Sequence, residues 1–438
     1  MPQRCLLAGF IVMTKPKLSP FLTFILSTLP LSAMADLLSD SHLTLDSRTM
    51  YYNNDSGTSH TSQPVGKQLG EGLILTGKSG YTPGTLGFGV DAVGMLGTKL
   101  YGPTGNNINT GLFPQHSDNS APATFGSARF AAKAKIHRTV ARAGYQQLNL
   151  PVIHTNAGRL FPAFYRGYTL HSEDISHLTL DAGFIDRVQG RNQTHYQPLK
   201  STGKATGSSS GFSYAGGRYT PINALALSYY YARLNNFYQQ HFFGAVASSP
   251  LGRGVLTADT RYFLSRNDGE RYGGNADNNA LGGMLTYRIA GNSLGAGYQQ
   301  LTGTGGFPYL DPGQSIDGVS TDTTGGSTGL LSESPLSKFK TAHERAWIVR
   351  YNLDLSRLGA RGLSFNSSYV YGYHAMVSSK TGYQNEWVRT LGLSYRLPES
   401  VSKDMTVSWK NVTYRSNISG THSQDQNILL LTWHYSIL

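Results

Sequence analysis

Eighteen segments of alternating polarity, a secretory leader and a last strand with one apolar face predict an all-β fold. The expected architecture is a closed antiparallel 18-stranded transmembrane β-barrel with long outer loops and short periplasmic turns. In the last twelve residues Leu429, Leu431, Trp433, Tyr435 and Ile437 share one parity, and Thr432, His434 and Ser436 the other; Leu430 and Leu438 are the exceptions. Period two places successive side chains on opposite faces of a sheet, so one face of this strand suits lipid and the other a wet lumen.

At the N-terminal end, Lys15 and Lys17 precede a mostly apolar stretch from Phe21 to Leu31 and the small-x-small sequence Ala33-Met34-Ala35. Together they read as a secretory signal. The expected start is Met13 with cleavage after Ala35, so residues 1–35 are an N-terminal extension and signal peptide, and residues 36–438 are the barrel. The only cysteine, Cys5, lies before Met13. An exported chain without a disulfide can draw its stability from a closed hydrogen-bonded sheet.

The alternating segments begin near residues 42, 68, 85, 125, 139, 168, 177, 211, 224, 237, 254, 279, 293, 342, 362, 386, 404 and 427. An even number suits a bacterial barrel. Residues 53–67, 99–124, 149–167, 187–210 and 303–341 are long connections rich in Gly, Ser, Asn and Thr. Between them lie short turns such as Tyr219-Thr220-Pro221-Ile222 and Ala290-Gly291-Asn292, where Gly, Pro and Asn supply the tight geometry. In the third segment Leu86, Phe88, Val90 and Ala92 alternate with Gly87, Gly89 and Asp91, which puts Asp91 on the lumen face. In the ninth, Leu225, Leu227, Tyr229 and Tyr231 face lipid by the same test. Tyr51, Tyr262, Tyr287, Tyr351, Tyr369, Trp387 and Tyr395 stand near strand ends, where interfacial girdles form.

Composition narrows the function classes. Mean hydropathy is −0.29, and no run of about 18 apolar residues follows the leader, which excludes a helical membrane protein and permits a barrel. The formal charge is +12, of which the leader carries only Arg4, Lys15 and Lys17. That balance suits nucleic acid, anionic headgroups, or an acidic solute in a basic channel. Export leaves outer-membrane lipid and lipopolysaccharide, and small-molecule solutes, as the expected partners, with no nucleic acid.

Candidate lumen cations follow from parity. Arg129, Lys133, Lys135 and His137 share one face of the fourth segment, opposite Ala128, Phe130, Ala132, Ala134 and Ile136. Arg142 extends that track across the hairpin. Arg261 with Asp259, Arg350, and Lys410 beside Ser408 and Thr406 pass the same test. A solvated barrel wall would look alike, since lumen positions are polar in any case. Enzyme signals are weak. Gly291-Asn292-Ser293-Leu294-Gly295 and Gly207-Ser208-Ser209-Ser210-Gly211 match G-x-S-x-G without a strand-to-helix elbow, and no metal-ligand spacing or phosphate loop is present. No catalytic residue, cofactor or metal is therefore expected.

Several stretches resemble the OprD family of substrate-specific outer-membrane porins. They are Ser79-Gly80-Tyr81-Thr82-Pro83-Gly84-Thr85 running into Gly87-Phe88-Gly89-Val90-Asp91-Ala92, Leu150-Pro151-Val152 through Gly158-Arg159-Leu160-Phe161-Pro162, Tyr214-Ala215-Gly216-Gly217, Tyr238-Gln239-Gln240-His241, and Glu344-Arg345-Ala346-Trp347. The resemblance spans the whole expected mature chain. It implies a monomeric barrel through which small charged nutrients, commonly amino acids, short peptides or carboxylates, diffuse passively. It also implies that the third and seventh outer loops fold inward to form a constriction, reached along a ladder of basic side chains. On that basis Asn156, Arg159, Tyr165 and Arg166 are constriction candidates in the third loop, and Tyr309 and Asp311 in the seventh. Lys133, Lys135 and Lys410 match ladder positions.

Departures from the family pattern bear on selectivity. Asn156-Ala157-Gly158-Arg159 stands where relatives often have Asn-Asp-Gly-Arg, and Gly303-Thr304 where they often have Gly-Asp. Ser408 and Ile428 occupy places that are often basic, and Leu438 replaces a terminal Phe common in outer-membrane barrels. Two missing acids weaken the attraction for cations, so anionic or zwitterionic solutes are expected. The expected function is passive diffusion of small carboxylate-bearing nutrients. An outer-membrane barrel hydrolase, lipase or protease, is the alternative, and a surface adhesin or structural barrel a third reading.

Overall fold

The computed structural model describes residues 40–55, 66–105, 110–201, 205–311, 314–316, 319–321, 326–377 and 382–438. The leader expected over residues 1–35 lies outside the described residues. Eighteen strands form one antiparallel sheet. They are β1 (His42–Asp55), β2 (Gly66–Lys78), β3 (Leu86–Tyr101), β4 (Thr124–Ile136), β5 (Thr139–Gln146), β6 (Phe164–Ser172), β7 (Leu178–Gln189), β8 (Phe212–Ile222) and β9 (Leu225–Leu234). The second half comprises β10 (Tyr238–Leu251), β11 (Gly254–Asn267), β12 (Asn278–Ile289), β13 (Asn292–Thr302), β14 (Arg345–Asp354), β15 (Leu363–Ala375), β16 (Gln384–Arg396), β17 (Met405–Ser416) and β18 (Gln424–Ser436). Each strand pairs with its chain neighbours, and β18 returns to β1 from Thr44↔Ser436 to Asp55↔Asp425. Closure leaves no edge whose amides and carbonyls would be stranded in lipid.

Every strand begins within four residues of its expected position. The largest difference is at β6, which begins at Phe164 rather than near 168. A bulge between Arg166 and Gly167 breaks the alternation there, so the period-two signal starts late. Tyr165 and Arg166, expected in the third outer loop, are therefore strand residues paired with Val188 and Arg187.

Exposure separates the two faces. Phe130, Tyr168 and Trp347 are 65, 67 and 57% exposed on the outer wall, whereas Ala131, Ile348 and Val370 on the inner face are buried. Of the two exceptions in the last segment, Leu430 lies on β18 and now has a cause. Ile428 and Leu430 point inward and pack against an apolar cluster of loop and wall residues, while Leu429, Trp433 and Tyr435 face outward.

That cluster shows how the lumen is narrowed. The second loop contributes Leu112 and Phe113, and the third Leu160 and Phe161, against Met50, Tyr52, Ile74 and Phe125 of the wall. Burying each of these large side chains is worth about 1.5–3 kcal/mol, which offsets the entropy of fixing the loops. Gly70 on β2 makes room, since a Cβ there would lie 2.5 Å from Phe113 Cζ. Two further clusters seat Leu199 of the fourth loop and Leu310, Leu330, Leu331 and Phe339 of the seventh. Four outer loops thus enter the barrel, the second and fourth in addition to the third and seventh. On the periplasmic side, Ala290 and Gly291 both adopt positive φ, 50° and 81°, in a two-residue hairpin turn.

Candidate functional site

The fourth-strand cations differ sharply from one another. Lys133 is 7% exposed; its Nζ lies 2.6 Å from Asp91 Oδ1 and donates to Ser79 O at 2.7 Å. Arg142 approaches the other Asp91 oxygen at 3.9 Å. Asp91 is therefore a lumen acid shared by two ladder candidates, and the trio carries one net positive charge. Lys135 is exposed, 5.4 Å from the Tyr81 ring. Arg129 makes no carboxylate pair among the described residues: it donates to Gln189 Oε1 and Thr194 O and lies 4.6 Å from the Tyr196 ring.

Around the third loop the cations are held by neutral acceptors. Arg48 on β1 donates through both Nη atoms to Ala157 O at 3.2 Å. Arg159 donates from Nε to Thr110 O and from Nη2 to Tyr52 Oη at 3.1 Å, with the Tyr52 ring 4.6 Å away. Asn156 accepts at Oδ1 from Arg191 Nη1 of the fourth loop at 3.2 Å and from Gly158 N at 3.0 Å. Arg191 is 7% exposed, and burial together with Arg159 pushes its guanidinium down without discharging it at neutral pH. Lys410 on β17 is exposed and close enough to Arg159 for their charges to interact. Among the described residues none of Arg48, Arg159, Arg191 and Lys410 has a carboxylate within 4.0 Å. A guanidinium fixed by carbonyls keeps its charge for a passing anion, whereas one fixed by a carboxylate does not.

The acids tell the converse story. Asp311 is buried, accepts from Tyr309 Oη at 2.8 Å and from Gly326 N at 3.0 Å, and so shapes the seventh loop from within. Arg261 forms a bidentate pair with Asp259 and also donates to Gly329 O at 2.7 Å. Arg350 donates to Leu331 O at 2.5 Å. Burial alone would raise the Glu333 carboxyl, but Lys338 and donors from Ser327, Thr328 and Gly329 hold it below its usual range and fix the loop's turn. Burial pushes His154 down, so it adds no charge at neutral pH.

Three of the constriction candidates are buried. Tyr165, Tyr309 and Asp311 are 1, 4 and 6% exposed, covered by the loops that pack over them. Arg166 is exposed but committed to Asp186 on β7. Arg48 and Arg191 were not singled out from the sequence. Arg48 had a signal, since Thr44, Asp46 and Arg48 share the inner parity of β1; Arg191 sits in a turn, where periodicity says nothing.

Below the third loop opens a lumen cavity of about 920 Å³, lined by Arg48, Lys78, Asp91, Arg142, Ala157 and two acid–histidine pairs. His171 Nδ1 meets Asp181 at 2.8 Å, and His434 Nδ1 meets Asp46 at 2.7 Å. Tyr230 Oη also donates to Asp181 at 2.8 Å. Every acid of this cavity, Asp46, Asp91, Asp181 and Asp404, has a cationic or histidine partner.

Residues 35–437 match the model of the outer membrane porin OprD family. The chain is 30% identical over 419 residues to the porin-like protein GalP of Pseudomonas putida, covering 95% of this chain and 97% of that one. Among solved structures it resembles Pseudomonas aeruginosa OccK8 (OprE), at 35% identity and a TM-score of 0.82 over 92% of this chain and 100% of that one. It also resembles P. aeruginosa OpdK solved with vanillate, at 28% identity and a TM-score of 0.82 over 91% and 100%.

Proposed function

The chain belongs to the OprD family of outer-membrane porins, and from that membership we propose that it passes small carboxylate-bearing solutes, preferring anions and zwitterions to cations. It is a substrate-specific porin of the Gram-negative outer membrane, and its relatives are channels rather than hydrolases. The observation that carries the preference is the contrast in pairing: Arg48, Arg159, Arg191 and Lys410 are anchored by neutral groups or exposed, while the nearby acids are occupied. Arg129, Lys135 and Arg350 extend the same basic track along the wall, with Lys133, Arg142 and Arg261 partly neutralised by Asp91 and Asp259.

In this reading a carboxylate moves between several weak contacts. One unit charge at about 4 Å contributes about 4 kcal/mol at an effective dielectric near 20, enough to favour entry, and neighbouring cations of similar strength let the solute leave. The OpdK structure contains vanillate, itself a small carboxylate, and this supports the class. The working protein is read as a monomer without cofactor, metal or nucleic acid, and residues 1–35 as a leader removed on export.

The test is the reversal potential of the refolded protein in a planar bilayer under a salt gradient, followed by additions of glutamate, vanillate, arginine and a neutral amino acid. Anion preference with current block by the carboxylates is the expected result. Cation preference with block by arginine would overturn it.

A further inference from the structure

We infer that Glu344 and Glu386 form a proton-sharing clasp that ties the end of the seventh outer loop to the barrel wall and makes the seating of that loop depend on pH. Glu344 is the last residue before β14 and Glu386 the third residue of β16. The strand between them, β15, presents Gly372, which pairs with Ala346 on one side and Glu386 on the other. A Cβ at Gly372 would collide with Phe339 and with Glu344 Oε1, so the missing side chain is what lets the two carboxyls approach each other across β15.

Both groups are out of water, Glu344 at 0% and Glu386 at 4% exposure. Glu386 accepts from Ser337 Oγ of the loop and from Tyr414 Oη of β17, each at 2.6 Å. Glu344 Oε2 accepts from Thr341 N at 2.9 Å. Its Oε1 is buried without a donor among the described residues. The groups facing the pair are Tyr414 from β17, Gly372 from β15, and Ser337, Thr341 and Phe339 from the loop, none of them a cation. The nearby lysines are engaged elsewhere, Lys338 with Glu333 and Lys340 over the Tyr309 ring, and Arg345 shares the outer-wall parity of Trp347.

A buried carboxyl set against a second one with no cation beside it keeps its proton, and Glu344 is the group that holds it here. That proton supplies the donor that the orphaned Oε1 lacks. Burial and Glu386 accordingly push the Glu344 carboxyl well above its usual range. The seated loop binds one proton more than the released loop, so seating weakens as pH rises from about 4.5, the ordinary carboxyl value, and levels off above the raised value. The limb at stake, residues 326–344, lies along the inner wall over Met284, Ile348 and Val388, so its release puts chain into the conduction path. The inference concerns loop seating and does not depend on which solute the pore selects.

The experiment replaces Cys5 and introduces Ser334→Cys, a buried position on the limb that takes no part in the clasp. The rate of maleimide labelling is measured from pH 5 to pH 9 in the refolded full chain, each value divided by that of the urea-unfolded chain to cancel thiol ionisation. The normalised rate should rise about tenfold per pH unit above about 4.5 before flattening, and Glu344→Gln, whose amide replaces the shared proton, should make it flat. Glu386→Gln is the second variant should Glu344→Gln not fold, and it too should flatten the profile. A flat profile in the parent chain, or the same rise in an amide variant, would overturn the clasp.

Discussion

Asp91→Asn tests the pairing argument by asking for a gain rather than a loss. The Asp91 carboxylate neutralises Lys133 at 2.6 Å and partly neutralises Arg142 at 3.9 Å, on the wall of the large lumen cavity. An asparagine oxygen still accepts from Lys133, which also keeps Ser79 O and lies 4.8 Å from the Tyr81 ring. The substitution therefore leaves the contacts and changes the local charge from one positive to two. For an ion passing about 8 Å away, one charge is worth about 2 kcal/mol at an effective dielectric near 20, reduced to about 0.8 kcal/mol by one Debye length of screening at physiological salt. That is about a fourfold gain in anion occupancy and an equal loss for cations, so the anion-to-cation permeability ratio should rise about fifteenfold. The assay is the reversal potential across a bilayer under a salt gradient, repeated near 1 M salt, where a Debye length of about 3 Å should erase most of the difference. An unchanged reversal potential at low salt, or a shift toward cations, would show that Asp91 and its partners do not face permeating ions.

Arg159→Gln with Arg191→Gln should weaken current block by glutamate at least tenfold, because two uncompensated charges are removed where the third and fourth loops meet; unchanged block would move the selective contact elsewhere. Asp311→Asn should cost about 1–3 kcal/mol in loop seating, since an amide cannot accept from both Tyr309 Oη and Gly326 N at its two terminal atoms. It should appear as faster limited proteolysis of the seventh loop with anion preference retained, and a switch of ion selectivity would instead make Asp311 a pore group. Gly70→Val should lower the midpoint of the heat-induced gel shift of the barrel by an overpacking cost of about 1–3 kcal/mol, because its Cβ lands 2.5 Å from Phe113 Cζ; an unaltered midpoint would mean that the second loop is not seated there.

The barrel was legible because its two solvents impose one rule on every strand. Leu86, Phe88 and Val90 alternate with Asp91's face for the same reason that Leu429 and Trp433 alternate with Thr432 and His434, and the turns at Ala290-Gly291 need residues that tolerate positive φ. The rule fails where loops convert wet lumen into dry core. Ile428 and Leu430 break the alternation because loop side chains cover them, and Tyr165 and Asp311 read as pore groups from sequence although they are sealed inside the loops.

The basic ladder was only partly legible for a related reason. Parity says which way a side chain points but not what it meets, and charge available to a solute depends on the partner. Lys133 shares the lumen parity of Arg129 and Lys135, yet Asp91 on β3 meets it diagonally, because its direct strand partner is Gly89, which leaves room for the lysine to reach across. Arg191 had no periodic context at all, and its charge matters because the loop carrying it folds against Asn156. On the proposed reading, selectivity depends less on the number of cations along the wall than on which of them the loops anchor through carbonyls and amides. A relative with an identical wall but an acid at position 157, beside the carbonyl that holds Arg48, should lose much of its preference for anions.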